Sequence, residues 1–296
     1  MTVGLIYPAE DIVGESIVWD APNRRLLWVD IVGKTIHSLA PATGEHKSWS
    51  TPELVTSIGL RKDGGAVVGL KQDVCLWDFD DRFRFLAKIE PDIPGNRLNE
   101  GVVGPDGAMW VGTMQNNIAP DGSPLEVTEA TGRLYRCAAD GSVAALSEDL
   151  FSLTNTFVWP TESRVITADT GENEIYCYDY DAEHQHLFHR RTIVSDFDRG
   201  LPDGSTMDTE GYIWNCRVVG GGCLLRLDPD GNIDRVVELP CTWPTSCTFG
   251  GETLDVLYVT SARFTMEADY LEANPIEGGL FAFEPGVTGS LPYRFG

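Results

Sequence analysis

Apolar and polar positions alternate, or nearly so, over short strand-length runs along the whole chain, and clusters of turn residues separate each run from the next. Six segments can be stacked on one another: ESIVWDAPNRRLLWVD from Glu15, TSIGLRKDGGAVVGL from Thr56, NEGVVGPDGAMWVGT from Asn99, NTFVWPTESRVITAD from Asn155, DGSTMDTEGYIWNCR from Asp203 and TSCTFGGETLDVLYVT from Thr245. Each starts on a polar residue and reaches an apolar one four positions on, at Trp19, Leu60, Val103, Trp159, Met207 and Phe249. A turn built from Gly, Pro, Asn or Asp then leads into a β-rich run around Trp28, Val67, Trp110, Val165, Trp214 and Tyr258. The pattern predicts strand, tight turn and strand, six times.

A further alternating run follows each copy: KTIHSLA, VCLWDFD, GRLYRCA, EIYCYDY, CLLRLDP and GLFAFEP. RFLAKIE, HRRTIVS and DRVVELP supply a fourth strand in three of them. The repeat recurs at roughly 40 to 55 residues, and no amphipathic helical stretch of convincing length competes with it. Four antiparallel strands per repeat, arranged radially, make an all-β, six-bladed β-propeller, expected to fill residues 1–296 as a single domain.

That fold changes the reading of one triplet. Pro-Asp-Gly occurs at Pro105, Pro202 and Pro229, and an Asp inside it is ordinarily a turn residue. The triplets at Pro105 and Pro229 sit in turn slots, but Asp203 stands at the start of a repeat's first strand, where Glu15, Asn99 and Asn155 stand in theirs. The innermost strand of every blade lines the central channel, so these starts form a ring at one mouth. Two carboxylates and a side-chain amide there offer oxygen ligands only, which suits calcium, magnesium or manganese and leaves zinc or ferrous iron open. Three protein ligands would leave coordination positions for water and substrate. Taken singly, Glu15 reads equally well as a solvated charge and Asn155 as a turn residue.

Charge and cysteines narrow the partners. A formal charge of −23, spread along the chain, disfavours nucleic acid and anionic membrane surfaces, and neither a signal peptide nor an apolar span is present, so a cytoplasmic location is expected. No long apolar edge announces an interface, and a monomer is expected. The seven cysteines are odd in number and lack CxxC spacing, and Cys75, Cys137, Cys177 and Cys216 lie in apolar runs, which predicts buried thiols. There is no GxSxG, HExxH or GxxxxGK motif. VVGGGCLL reads as a hairpin turn, DPDGN at Asp228 as a turn, and HQHLFH at His184 to His189 as an exposed loop where a hairpin joins outer strands.

GESIVWDAPNRRLLWVDI, NRLNEGVVGPDGAMWVGTM, LPDGSTMDTEGYIWN and PTSCTFGGETLDVLYVTSAR resemble, in order and over nearly the whole chain, the motifs of the SMP-30/gluconolactonase/luciferin-regenerating enzyme family, in particular its bacterial sugar-acid lactonases. The resemblance implies a six-bladed propeller with one divalent metal on its axis, calcium first, hydrolysing a sugar lactone such as glucono-, galactono-, xylono- or arabinonolactone. It places the metal ligands on Glu15, Asn155 and Asp203, and substrate contacts on Arg97, Asn99, Glu100 and Asn117; Asp203, a ligand with a spare oxygen, is the expected catalytic base. Glu100 stands where the family usually has Asp, Thr156 where it usually has Gly, and Asn117 near a glutamate of some relatives. A phosphotriesterase-like hydrolase and a non-catalytic calcium-binding scaffold are the rival expectations.

Overall fold

The structure is a computed structural model, and it describes residues 2–296. Its strands form six sheets of four, each a meander of antiparallel neighbours. The inner strands of blades 1 to 6 are Gly14–Asp20, Val55–Leu60, Asn96–Val103, Thr154–Thr161, Leu201–Met207 and Pro244–Gly250. Each packs against the next, and the sixth returns to the first, so the ring closes. The expected six-bladed propeller is the observed architecture.

Burial follows from position in the blade. A middle strand such as Ala66–Leu70 is covered on both faces by neighbouring blades, and every residue in it is buried. The outermost Glu45–Ser50 meets solvent and is mostly exposed, its sequence accordingly polar. Apolar side chains gather in six clusters, one at each seam between blades. At the seam of blades 3 and 4, Trp110 meets Trp159 edge-on with centroids 5.2 Å apart.

Two outcomes were not visible in the repeat pattern. The outer strand of blade 6 is Gly4–Tyr7, which pairs with Leu280–Phe283 and so ties the N-terminus to the last sheet. The chain end crosses the far face instead: Phe295 inserts at the seam of blades 2 and 3, and its amide donates to the Leu60 carbonyl at 2.8 Å. One short helix, Ala268–Ala273, interrupts blade 6. All seven cysteines are free and buried; His184 and His189 are exposed, but His186–Val194 is the outer strand of blade 4 and not a loop, because Leu187 turns inward and is buried.

Candidate functional site

Every inner strand carries a register shift near its start: Glu15/Val18, Val55/Ser57, Leu98/Gly101, Asn155/Val158, Pro202/Ser205 and Pro244/Cys247. A bulge re-aims the side chains around it. Asp203 lies in its inner strand and not in a turn, whereas Asp106 and Asp230 occupy turns. The backbone can crowd the axis here because the next residue is Gly204: a Cβ on it would lie 2.9 Å from the Thr245 carbonyl oxygen.

Glu15, Glu100, Asn155 and Asp203 are all buried. The Glu15 and Asp203 carboxyls face each other within hydrogen-bonding range, yet Asp203 Oδ1 meets no donor. Burial, then the charge of Glu100, pushes Glu15 up to about 8. Burial followed by the charges of Glu15 and Glu100 holds Asp203 far above the usual carboxylate range. Glu100 is raised by burial too, but it is tied off by the amides of Gly101 and Thr156, the first at 2.9 Å. Asn155 Nδ2 donates to Thr170 Oγ1 at 2.8 Å, which commits the nitrogen and leaves Oδ1 as the end available to a ligand.

These residues fit a divalent cation. Two buried carboxylates facing one another must be either protonated or balanced by positive charge, and the unpaired Asp203 oxygen has its hydrogen-bonding capacity unused. Among the described residues no three His, Cys, Asp or Glu side chains make a metal-type cluster. The fitting set here is two carboxylates and an amide oxygen, with Glu100 engaged by backbone amides.

Arg97, Asn99 and Asn117 form a connected array beside these carboxyls. Arg97 Nη1 donates to Asn99 Oδ1 at 2.7 Å, and Nη2 and Nε donate to Asn117 Oδ1 at 2.8 and 3.2 Å. Asn99 Nδ2 donates to the Thr154 carbonyl at 3.0 Å, fixing its amide. Burial lowers Arg97 to about 10, partly offset by Glu15. Glu100 does not join this array; it sits with the carboxyls and also lines the axial cavity of about 230 Å³, which Trp159 and Tyr293 line farther along the strands.

A family model described as "SMP-30/Gluconolactonase/LRE-like region" matches residues 13–263. The chain belongs to that family. Regucalcin of Xenopus laevis is 33% identical over 288 residues, covering 96% of this chain and 94% of its own. The 6-deoxy-6-sulfogluconolactonase of Pseudomonas putida is 30% identical over 292 residues, covering 97% and 96%. A solved regucalcin from Agrobacterium tumefaciens, described as a calcium-binding protein, superposes with a TM-score of 0.88 at 27% identity, covering 99% of this chain and 96% of that one.

Within this SMP-30/gluconolactonase chain, supporting residues escape sequence reading. Thr156, where Gly is usual, has φ of 60°, a conformation that disfavours a β-branched residue. Its hydroxyl donates to the Asp203 carbonyl at 2.6 Å, so the residue is held where it pins the neighbouring strand. Asp30 and Asp169 end the second strands of blades 1 and 4. Asp30 accepts the amides of Ile12 and Val13 at 3.0 Å each, and Asp169 those of Ser152 and Leu153 at 2.8 and 3.0 Å. Each thereby clamps the segment that delivers Glu15 or Asn155. The repeated tripeptides Val-Asp-Ile and Ala-Asp-Thr are the only trace of this in the sequence.

Proposed function

We propose that this chain hydrolyses a sugar lactone to the aldonic acid, with one divalent cation held by Glu15, Asn155 and Asp203. The observation that carries the reading is the pair of buried carboxyls of Glu15 and Asp203, in which one Asp203 oxygen has no partner, with a sugar-matching donor array alongside. The Pseudomonas relative named as a sulfogluconolactonase supports the reaction class, and the Agrobacterium protein described as calcium-binding supports calcium as the first cation to test. When bound, the cation supplies Lewis-acid polarisation of the ester carbonyl.

The side chains do the rest. Asp203 takes a proton from water as the water oxygen bonds to the carbonyl carbon, and returns a proton to the ring oxygen as the ester C–O bond breaks. Arg97, whose planar donors suit vicinal hydroxyls, orients the sugar together with Asn99 and Asn117. Glu100 closes the floor beneath the lactone, at the head of the axial cavity.

The test is proton release from a panel of aldonolactones by metal-stripped protein, with calcium, zinc, manganese, magnesium or ferrous iron added in turn and an organophosphate ester as comparison. Lactone turnover that depends on metal is expected. No turnover with any ion moves the protein to the non-catalytic cation-binding reading, and turnover of the organophosphate alone replaces the substrate class.

A further inference from the structure

We infer that Thr170 is a positioning residue for the cation site: its hydroxyl decides which end of the Asn155 amide faces the ring, and it links that ligand to the strand carrying Asp203. The inference rests on the proposed cation site and adds to it a residue outside the ligand set.

The chemistry of the hydroxyl fixes the amide. Thr170 Oγ1 lies 2.7 Å from the Pro202 carbonyl oxygen and 2.8 Å from Asn155 Nδ2, and all three groups are buried. A carbonyl oxygen can only accept, so the single hydroxyl proton goes to Pro202. Towards Asn155 the hydroxyl is then left with lone pairs alone, and only the NH₂ end of the amide can satisfy them. The amide oxygen is therefore turned away from Thr170, as a cation ligand must be. A flipped amide would set two acceptors against each other in a buried place, which costs about as much as an unmade hydrogen bond.

The propeller contains its own comparison. Blade 1 repeats the arrangement, with Asp30 clamping the segment before Glu15 as Asp169 clamps the segment before Asn155. The residue after Asp30 is Ile31, an apolar side chain in the seam between blades 1 and 2, whereas the residue after Asp169 is Thr170. The two ends of a carboxylate are chemically alike, so Glu15 needs no orienter. An amide has one useful end, and the hydroxyl occurs beside the amide.

The bond to Pro202 extends the effect. Pro202 immediately precedes Asp203, whose own carbonyl is held by Thr156 Oγ1 at 2.6 Å and by Asn215 Nδ2 at 2.9 Å. Thr170 thus joins the blade 4 and blade 5 ligands through one hydrogen-bonded oxygen.

Calorimetric titration of the full-length protein with calcium, and separately with manganese(II), tests this. Groups that orient metal ligands typically contribute 10- to 100-fold in affinity, so Thr170→Val and Thr170→Ala should each weaken binding about 10-fold or more while Thr170→Ser stays near wild type. In an Asn155→Asp background, whose ligand has no end to flip, the loss caused by Thr170→Val should shrink to a few-fold. Wild-type affinity in both Thr170→Val and Thr170→Ala, or an undiminished loss in the Asn155→Asp background, overturns the inference. If instead the wild-type protein binds neither ion, or Asn155→Ala binds them unchanged, the cation site itself is wrong.

Discussion

The carboxyl of Glu15, from blade 1, faces the carboxyl of Asp203, from blade 5, across the propeller axis within hydrogen-bonding range, and one oxygen of Asp203 has no donor to meet. Without a cation both groups hold protons above the usual carboxylate range: burial and then the charge of Glu100 raise Glu15, and burial followed by the charges of Glu15 and Glu100 raises Asp203.

The first prediction concerns pH. The folded-state value of Glu15 is about 8 against an ordinary 4.5, so between those limits the metal-free native state holds a proton that the unfolded chain has lost. Stability contributed by this group is complete below the lower limit and is lost as pH rises through the upper one, at up to about 1.4 kcal/mol per pH unit per proton held. The melting temperature of metal-free protein should fall between pH 5 and 8. Calcium should restore it at pH 8, and its binding at pH 7 should release protons into a weakly buffered solution. A flat metal-free profile contradicts the account.

Asp203→Asn separates stability from activity. Removing one of two facing carboxylates relieves the repulsion, so the metal-free protein at pH 8 should melt no lower than wild type. Lactone turnover should fall by ~10² to 10⁴, the usual loss when a positioned base is removed. Near-normal turnover would take Asp203 out of the mechanism.

Arg97→Gln should separate cation binding from turnover. The change removes a positive charge near Glu15 and cuts the donors to Asn99 and Asn117. Cation affinity should hold or rise, while kcat/KM for the lactone falls by about 10-fold or more, as expected when a charge-assisted hydrogen bond worth ~1.5–3 kcal/mol is lost. Parallel loss of both would make Arg97 a structural support of the metal site.

At Thr156, strain and hydrogen bonding can be weighed against each other. Thr156→Ala keeps the unfavourable φ of 60° and loses the bond to the Asp203 carbonyl, so it should cost about 1 to 2 kcal/mol in chemical denaturation. Thr156→Gly loses the same bond but relieves the strain, and should lie above Thr156→Ala. The reverse order would mean the backbone here is not strained.

The sequence made the ring legible because each blade repeats locally: strand, turn and strand are contiguous, and a polar start in register with five others reveals a shared position. Glu15, Asn155 and Asp203 were found that way, and Asp203 was told apart from the turn residues Asp106 and Asp230 by register alone. What stayed hidden depends on contacts between distant segments. Gly4–Tyr7 is too short and too isolated to show that it completes the sixth blade, whose other strands begin at Pro244. Thr170 acts on residues 15 and 32 positions away in different strands, so no local pattern marks it. The link from Arg97 to Asn117 spans 20 residues, and no spacing or periodicity in the sequence announces it. The resemblance sets Glu100 with Arg97 and Asn99 as a substrate contact; the register shift between Leu98 and Gly101 goes with a different placement, buried and close enough to Glu15 and Asp203 to raise both.

The most direct measurement is anomalous diffraction from crystals grown with manganese(II). A single anomalous peak on the propeller axis, bonded to oxygens of Glu15, Asn155 and Asp203 and open on the Arg97 side, is the predicted result. A peak held by other residues, or none at this position while the metal binds elsewhere, would contradict the claim that these three side chains grip one cation.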